Sequence, residues 1–466
     1  MAERCDIAII GSGPGGYVAA IRAAQLGFKT VCIEKNSTFG GTCLNVGCIP
    51  SKTLLQGTEM LYHLQHQGKE FGLAFSDLKV DFTQLMSKKK QVVKTLVDGV
   101  AGLLKKNKVD VIEGLAEFVS PNTVKVTGKD KKTVEVEASY FIIATGSEPI
   151  SLKDIPIDER QVVTSTGILS LPKVPSTLVV VGAGVIGVEL ASVYNRLGSK
   201  VMILEMLDHI CPALDADLSR QLQKELQKQG IEFHLSSQAI TAVVQPEEVI
   251  LMANLGGVLK NISTNVLLVA VGRRPFTSGL QLEKAGVEKN KKGYITVDGN
   301  LRTTQPHIFA IGDVIDGVML AHRASAEGVA VVEYLKGNRP EVDYLAIPNV
   351  IYTYPEVAVV GLSEQEAKEA GIDVMVGKSY FRGNARARCT GETEGFVKVV
   401  GDRKSGKLVG AHILGPHASE LIAEAMLALQ KKAKVEDLAD APQAHPTFSE
   451  AIKEAALDAL GRPLHQ

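Results

Sequence analysis

The chain writes one pattern twice. Its first copy is the short apolar run Asp6-Ile7-Ala8-Ile9-Ile10, the turn Gly11-Ser12-Gly13-Pro14-Gly15-Gly16, a small-residue helical stretch from Tyr17 to Leu26, and the strand Thr30-Val31-Cys32-Ile33 ending at Glu34. The second copy is Leu178-Val179-Val180-Val181, then Gly182-Ala183-Gly184-Val185-Ile186-Gly187, a helix to Leu197, and Val201-Met202-Ile203-Leu204 ending at Glu205. In both copies the acid falls 23 residues after the first glycine. Strand, glycine turn, helix and strand in this order predict an α/β fold with parallel sheets. The first glycine permits the tight turn, the second lets backbone approach a pyrophosphate at the helix N-terminus, and the third allows close helix–strand packing. The acid sits where a carboxylate accepts from a ribose. One such motif is a weak signal, whereas two with matching flanks predict two dinucleotide sites. Glu205 favours NAD over NADP, since a carboxylate repels a 2′-phosphate and Met206-Leu207-Asp208 supplies no arginine.

Each half closes on another apolar strand and a glycine, Tyr140 to Ser147 in the first and Val266 to Arg273 in the second. A further strand, His307 to Ile311, runs into Gly312-Asp313, where a carboxylate at a strand end could meet a sugar-alcohol hydroxyl of a flavin. Proline-containing segments at Glu148-Pro149, Arg274-Pro275 and Ala346-Ile347-Pro348 mark boundaries. They predict domains over 1–149, 150–275, 276–346 and 347–466.

Length allows this: 466 residues at roughly 150 per domain make about three domains. Lys plus Arg (51) nearly cancels Asp plus Glu (52), and no basic run interleaves with aromatics, so no nucleic-acid surface is expected. The longest apolar stretch, Leu178 to Val188, carries three glycines and is too short to span a bilayer. The N-terminus lacks the basic flank and apolar core of a signal peptide. The mature chain is therefore expected to start at Met1 and to be cytoplasmic, without a membrane span.

Of six cysteines, Cys5, Cys32, Cys211 and Cys389 are scattered, while Cys43 and Cys48 stand together in Gly40-Gly41-Thr42-Cys43-Leu44-Asn45-Val46-Gly47-Cys48-Ile49-Pro50-Ser51-Lys52. On an ideal helix a five-residue offset rotates the two thiols by about 140°, too far apart for a relaxed disulfide. Bridging them requires a distortion, which Gly47 and Pro50 permit, and a strained bridge is oxidising and labile. Redox catalysis is the favoured reading over a zinc site, for which no second pair supplies the remaining ligands. Only the first nucleotide site has thiols beside it, so it is read as the flavin site and the second as the nicotinamide site.

Thiol chemistry needs a base, and the best candidate is His445 in Gln443-Ala444-His445-Pro446-Thr447-Phe448-Ser449-Glu450. Pro446 is expected to open a helix at its first position, with Glu450 reaching back to fix the imidazole tautomer. Lys52 and Glu189, each following a glycine motif, are a further possible pair.

With these motifs in hand, the chain resembles the dihydrolipoyl dehydrogenases of the class I pyridine nucleotide-disulfide oxidoreductase family. The resemblance covers essentially the whole chain, including Gly272-Arg273-Arg274-Pro275, Met319-Leu320-Ala321-His322 and Ile351-Tyr352-Thr353-Tyr354-Pro355-Glu356-Val357. It implies two Rossmann-like nucleotide-binding domains plus a C-terminal α+β dimerisation domain. It implies that Cys43 exchanges with dihydrolipoamide, that Cys48 faces the flavin, that His445 is the acid/base oriented by Glu450, and that Lys52 pairs with Glu189 beside the flavin ring. FAD would be held by Gly11, Gly13, Gly16, Glu34, Lys35, Gly41, Thr42, Lys52, Ala116, Thr145, Gly146, Ser147, Asp313, Met319, Leu320, Ala321 and His322. NAD would be held by Gly182, Gly184, Val185, Ile186, Gly187, Glu189, Glu205, Ile240 and Gly272. The implied protein is a homodimer whose C-terminal domain lends its histidine to the partner's disulfide. It would serve lipoyl domains and bind a 2-oxoacid dehydrogenase complex through its core or subunit-binding domain. No metal is expected.

Two relatives fit less well: glutathione reductase would favour an arginine-bearing second site, and mercuric reductase usually carries a C-terminal cysteine pair, where this chain ends Arg462-Pro463-Leu464-His465-Gln466. A flavin-loaded scaffold is disfavoured by the complete set Cys43, Cys48, His445 and Glu450. One departure stands out: many relatives read His-x-His-Pro-Thr, and here the first position is Gln443, so proton handling or the pH optimum is expected to differ.

Overall fold

The computed structural model describes residues 3–465; the chain ends read above, Met1, Ala2 and Gln466, lie outside them. Backbone contacts divide the chain into two units. The first runs through Thr53, then Met86–Ile150 and Gly272–Val342; the second comprises Leu54–Leu85, Ser151–Val271 and the chain from Asp343 on.

In the first unit the strand Glu3–Ile10 lies between the parallel strands Thr30–Glu34 and Thr133–Ile143, with Ile308–Ala310 beyond. Ile7, Ala8 and Ile9 have no solvent exposure, as expected of strands covered on both faces. The helix Pro14–Gln25 starts three residues earlier than the sequence pattern suggested, with proline in its first turn. It packs on Ala321–Leu335 through small residues: a Cβ on Gly328 would come within 2.7 Å of the Gly15 carbonyl oxygen.

The second unit repeats the plan. Thr177–Val181 pairs in parallel with Lys200–Leu204 and Val266–Val269, and the helix Val185–Arg196 follows the glycine turn. The duplication extends to backbone detail. Gly11 and Gly182 both have φ +104°, and a Cβ on either would meet the oxygen of Ala144 or Ala270 at 2.5 Å. The amides of Gly11 and Gly182 each donate at 2.8 Å, to Ile33 and Leu204 respectively. Only glycine tolerates such positions.

The same unit contains an antiparallel meander, Ser237–Val244, Val249–Leu255 and Val258–Thr264. It also contains a five-stranded antiparallel sheet ordered Asn349–Ile351, Glu356–Gly361, Leu408–Gly415, Phe396–Asp402, Val374–Tyr380. Helices Ala418–Gln430 and Glu450–Ala459 cover this sheet, giving the expected α+β C-terminal part. Among the described residues no helix is long and apolar enough to cross a membrane.

Candidate redox and nucleotide sites

The distortion that the thiol pair demands is present at Gly47. The short helix Gly41–Val46 ends there, Gly47 adopts φ −142° and ψ −114°, and a new helix starts at Cys48. Asn45 pins the first turn by donating to Phe39 and Gly41 carbonyls, both at 2.9 Å. A Cβ on Gly47 would stand 2.8 Å from the Thr42 oxygen. Across this break Cys43 and Cys48 are unbridged thiols in hydrogen-bond contact. That contact and burial push the Cys43 thiol well above its ordinary pKa, while the charge of Lys52 pulls the other way. Lys52 therefore faces the thiol pair within the first unit, as does Tyr17, whose phenol is raised by burial and by Cys43. Among the described residues no group of three His, Cys, Asp or Glu side chains converges as a metal site would require.

Next to the thiols the first glycine turn leaves room for a phosphate. No side chain caps the helix Pro14–Gln25, and nothing lies within 4 Å of where a Cβ on Gly13 would point. A Cβ on Gly16 would strike the Gly11 oxygen at 1.8 Å, and one on Gly41 would reach Gly13 Cα at 2.7 Å. This cradle suits the pyrophosphate of a dinucleotide. Glu34 is 5% exposed and accepts from Ser12 N (2.9 Å), Ser12 Oγ (2.6 Å), Asn36 N (3.0 Å) and Asn36 Nδ2 (3.2 Å). Here Glu34 braces the turn, and a ribose hydroxyl reaching it shares an oxygen with those donors. Lys35 stands over the Phe276 ring, 3.7 Å from its centroid. Thr145 Oγ1 donates to the Phe276 carbonyl at 2.6 Å, and Gly146 has φ +71°. Asp313 accepts from Ser147 Oγ at 2.6 Å. Ala116 is buried in the strand Leu115–Ser120. Met319 and Leu320 precede the helix that Ala321 opens, and His322 is exposed.

Two features of this site were given no role in the sequence reading. Arg273 donates from Nε to Ser147 Oγ (2.8 Å) and from Nη2 to the Ser147 carbonyl (2.7 Å), near enough to Asp313 and Cys48 to interact electrostatically with a carboxylate or thiolate there. Glu327, fully buried, accepts the Gly312 amide at 2.6 Å and Arg323 Nε at 2.8 Å, while Arg323 also ties down the carbonyls of Asp316 and Val318. Both sets join residues distant from any glycine motif; the Gly-Arg-Arg-Pro segment was the available clue to Arg273.

In the second unit the glycine turn is likewise open: the helix Val185–Arg196 has no side-chain cap, and nothing lies near a Cβ on Gly184. Val185 and Ile186 form its first turn, and a Cβ on Gly187 would strike the Gly182 oxygen at 2.0 Å. Among the described residues Glu205 accepts the amides of Ala183 (2.7 Å) and Leu207 (2.9 Å) alone, so unlike Glu34 it keeps lone pairs that a ribose could use. Cys211 donates to the Ala183 carbonyl through both N (3.0 Å) and Sγ (3.4 Å), a brace that spacing did not reveal. Ile240 falls where the strand register shifts between Ala239 and Thr241. Glu189 is 3% exposed and accepts the Tyr352 amide at 2.9 Å. Gly272 belongs to the first unit, where its carbonyl accepts from Ile150.

The acid/base candidate also lies in the second unit. His445 Nδ1 meets Glu450 Oε1 at 2.8 Å, and Glu450 Oε2 accepts the Thr447 amide at 2.8 Å. Burial alone would raise the Glu450 carboxyl, but the Thr447 amide and His445 outweigh it and hold the carboxyl below its usual range. An ionised Glu450 fixes the proton of a neutral imidazole on Nδ1, which leaves Nε2 as the nitrogen able to accept a proton. The imidazole is exposed in the protomer. One expectation is corrected: Pro446 does not open a helix, because the helix starts at Glu450 with Ser449 as its cap. The Thr447 amide that a helix starting at Pro446 would leave to its first turn is instead bound by the Glu450 side chain.

A sequence model described as pyridine nucleotide-disulphide oxidoreductase matches residues 5–328, and the dimerisation-domain model of the same family matches 347–456. The mitochondrial dihydrolipoyl dehydrogenase of Pisum sativum is 47% identical over 99% of this chain and 92% of its own length. That of Rattus norvegicus is 48% identical, again over 99% and 92%. Among solved structures, LpdA from Mycobacterium tuberculosis superposes with a TM-score of 0.91 at 28% identity, covering 98% of this chain and 99% of that one.

Proposed function

The chain belongs to the pyridine nucleotide-disulphide oxidoreductase family, and on that premise we propose that it is a dihydrolipoyl dehydrogenase. It takes electrons from dihydrolipoamide and delivers them to NAD⁺, with FAD and NAD as its cofactors. The observation that carries this reading is the pair Cys43 and Cys48, held in contact by the break at Gly47 within a chain alike end to end to enzymes of that name.

In the oxidised enzyme Cys43 and Cys48 form a disulfide. A dihydrolipoamide thiolate attacks Sγ of Cys43, the Cys43–Cys48 bond breaks, and Cys48 leaves as thiolate. The second substrate thiol then displaces Cys43, releasing lipoamide and leaving two reduced cysteines. His445 Nε2 takes the proton of the attacking thiol and ends holding one proton, while the second passes to the Cys43 thiolate as it leaves, with Glu450 holding the ring through Nδ1. FAD, when bound, supplies the two-electron chemistry that links this dithiol to the nicotinamide. Gly11, Gly13, Gly16, Glu34, Asp313 and Ser147 would hold it, and Lys52 would sit beside its ring, paired with Glu189. Gly182, Gly184, Gly187 and Glu205 would hold NAD, with Glu205 selecting it over NADP.

The match of residues 347–456 to a dimerisation domain supports a homodimer. We assign the base acting on each disulfide to His445 of the partner subunit. The divisions 1–149, 150–275, 276–346 and 347–466 are retained as FAD, NAD, central and interface domains. Lipoyl domains and the core or subunit-binding domain of a 2-oxoacid dehydrogenase complex are the proposed partners. Location in the cytoplasm suits free thiols at Cys5, Cys32, Cys211 and Cys389.

The test is NADH formation by the flavin-loaded protein with dihydrolipoamide and NAD⁺, with NADP⁺ as control. NAD⁺-specific turnover is expected. A flavin-loaded protein without turnover would refute the substrate.

A further inference from the structure

The segment carrying His445 is tied to the helix Ala418–Gln430 by four polar contacts in a row. Gln443 Nε2 meets Glu424 Oε1 at 2.8 Å, and Ser449 Oγ meets Gln443 Oε1 at 3.1 Å. Ser449 Oγ also meets Thr447 Oγ1 at 2.9 Å, and Thr447 Oγ1 meets the Ala444 carbonyl at 2.8 Å. The hydrogens along this chain can be counted. If Glu424 is ionised, the Gln443 amide fills the first contact, and the other three share the single hydrogens of two hydroxyls. One contact then sets lone pairs against lone pairs.

A half-turn of the Gln443 amide exchanges its oxygen and nitrogen and moves nothing else. If Glu424 also carries a proton, every contact is filled. Glu424 donates to the Gln443 oxygen, the Gln443 N–H to Ser449, the Ser449 hydroxyl to Thr447 and the Thr447 hydroxyl to Ala444. We propose that Glu424 works as a neutral carboxylic acid and, through Gln443, Ser449 and Thr447, is a positioning residue for the His445–Glu450 pair. The role in turnover rests on the dehydrogenase reading above.

The far end of the chain brackets the base. Ala444 immediately precedes His445, and Thr447 gives its amide to Glu450 and its carbonyl to Asn384 Nδ2, at 2.8 and 2.9 Å. An empty contact loosens this loop, and misplacing a base by a fraction of an ångström is costly. Burial raises the Glu424 carboxyl above its ordinary value, with the Gln443 amide as the opposing influence. The other titratable groups on this helix and the elements packed against it are Glu420, Tyr344, Glu356 and His412, and the tied segment adds His445 and Glu450. Glu356 is engaged by the Ser419 amide at 2.8 Å, and His412 by the Leu362 carbonyl at 3.0 Å.

The test uses the full-length, flavin-loaded enzyme. Infrared difference spectra between wild type and Glu424→Gln should show a protonated-carboxyl band in the wild type that titrates away at high pH. Glu424→Ala and Gln443→Leu should each lower kcat for dihydrolipoamide about tenfold with KM and flavin absorbance unchanged. Glu424→Gln, whose amide also donates, should restore most of that loss and remove one step from the pH profile of kcat/KM. Absence of the band at every pH supporting turnover would overturn the proposal, as would Glu424→Ala turning over like the wild type. If no protein turns over dihydrolipoamide, the dehydrogenase reading fails instead, and the band still reports on Glu424.

Discussion

His445 and Glu450 form a 2.8 Å contact through Nδ1, with the second carboxylate oxygen already bound by the Thr447 amide. The carboxylate is thus anchored before it touches the ring, so the imidazole has one orientation and its Nε2 is free for chemistry.

Removing the ring should therefore abolish proton transfer without disturbing the cofactor. His445→Gln is expected to keep its FAD spectrum and lose about 10²-fold or more in dihydrolipoamide turnover, the scale of general acid–base loss. Steady-state kinetics at saturating NAD⁺ check this, and unchanged kcat contradicts the assignment.

The lowered Glu450 carboxyl makes a statement about acid stability. A carboxyl whose folded pKa lies below its unfolded value, near 4.3, stabilises the fold above that value and loses the contribution as pH falls through the folded pKa. Denaturant midpoints of wild type and Glu450→Gln should differ at neutral pH and converge in acid. A gap that persists in acid assigns the difference to packing.

The two glycine turns should fail separately. Gly16→Ala brings a Cβ to 1.8 Å from the Gly11 oxygen, and Gly187→Ala brings one to 2.0 Å from the Gly182 oxygen. The first variant is expected to lose its yellow colour. The second is expected to stay yellow and raise KM for NAD⁺. Equal flavin loss from both would refute the division of labour between the sites.

Cofactor choice is expected to follow Glu205. With two amides bound and lone pairs left over, its carboxylate can accept from a ribose but repels a 2′-phosphate. Glu205→Ala should weaken NAD⁺ and narrow the gap to NADP⁺. The ratio of kcat/KM for the two nucleotides reads this directly.

Outside the sites, Lys398 is 2% exposed and reaches Asp215 and Glu364 at 2.8 Å and Asp217 at 3.3 Å. Burial would lower its pKa, but the carboxylates raise it above the ordinary value. Lys398→Met leaves the buried Asp215 without its cation, at a cost of about 3–5 kcal/mol, while Asp217 and Glu364 keep Lys378 and Lys368. Thermal unfolding should report a matching loss.

The parts legible in the sequence were those written locally. Each glycine turn and its glutamate lie within 23 residues, and the fold placed both as expected, down to equal φ at Gly11 and Gly182. The rotation between Cys43 and Cys48 demanded a break, and Gly47 makes it. What stayed hidden depends on residues far apart in the chain. Arg273 meets Ser147 across 126 positions and Lys398 meets Asp215 across 183, so no local spacing could announce them. Pro446 was misread because its preference for a first helical turn is local, whereas Glu450 captures the Thr447 amide and sets the helix start.

The central claim is that Cys43 and Cys48 carry electrons from dihydrolipoamide to NAD⁺. The direct measurement is a count of alkylatable thiols in the flavin-loaded enzyme, quenched into denaturant. Six cysteines less the bridged pair give four in the oxidised enzyme, rising to six after one equivalent of dihydrolipoamide. Added NAD⁺ should return the count to four as NADH forms. A count that does not change with substrate, or that rises in Cys43→Ser, would contradict it.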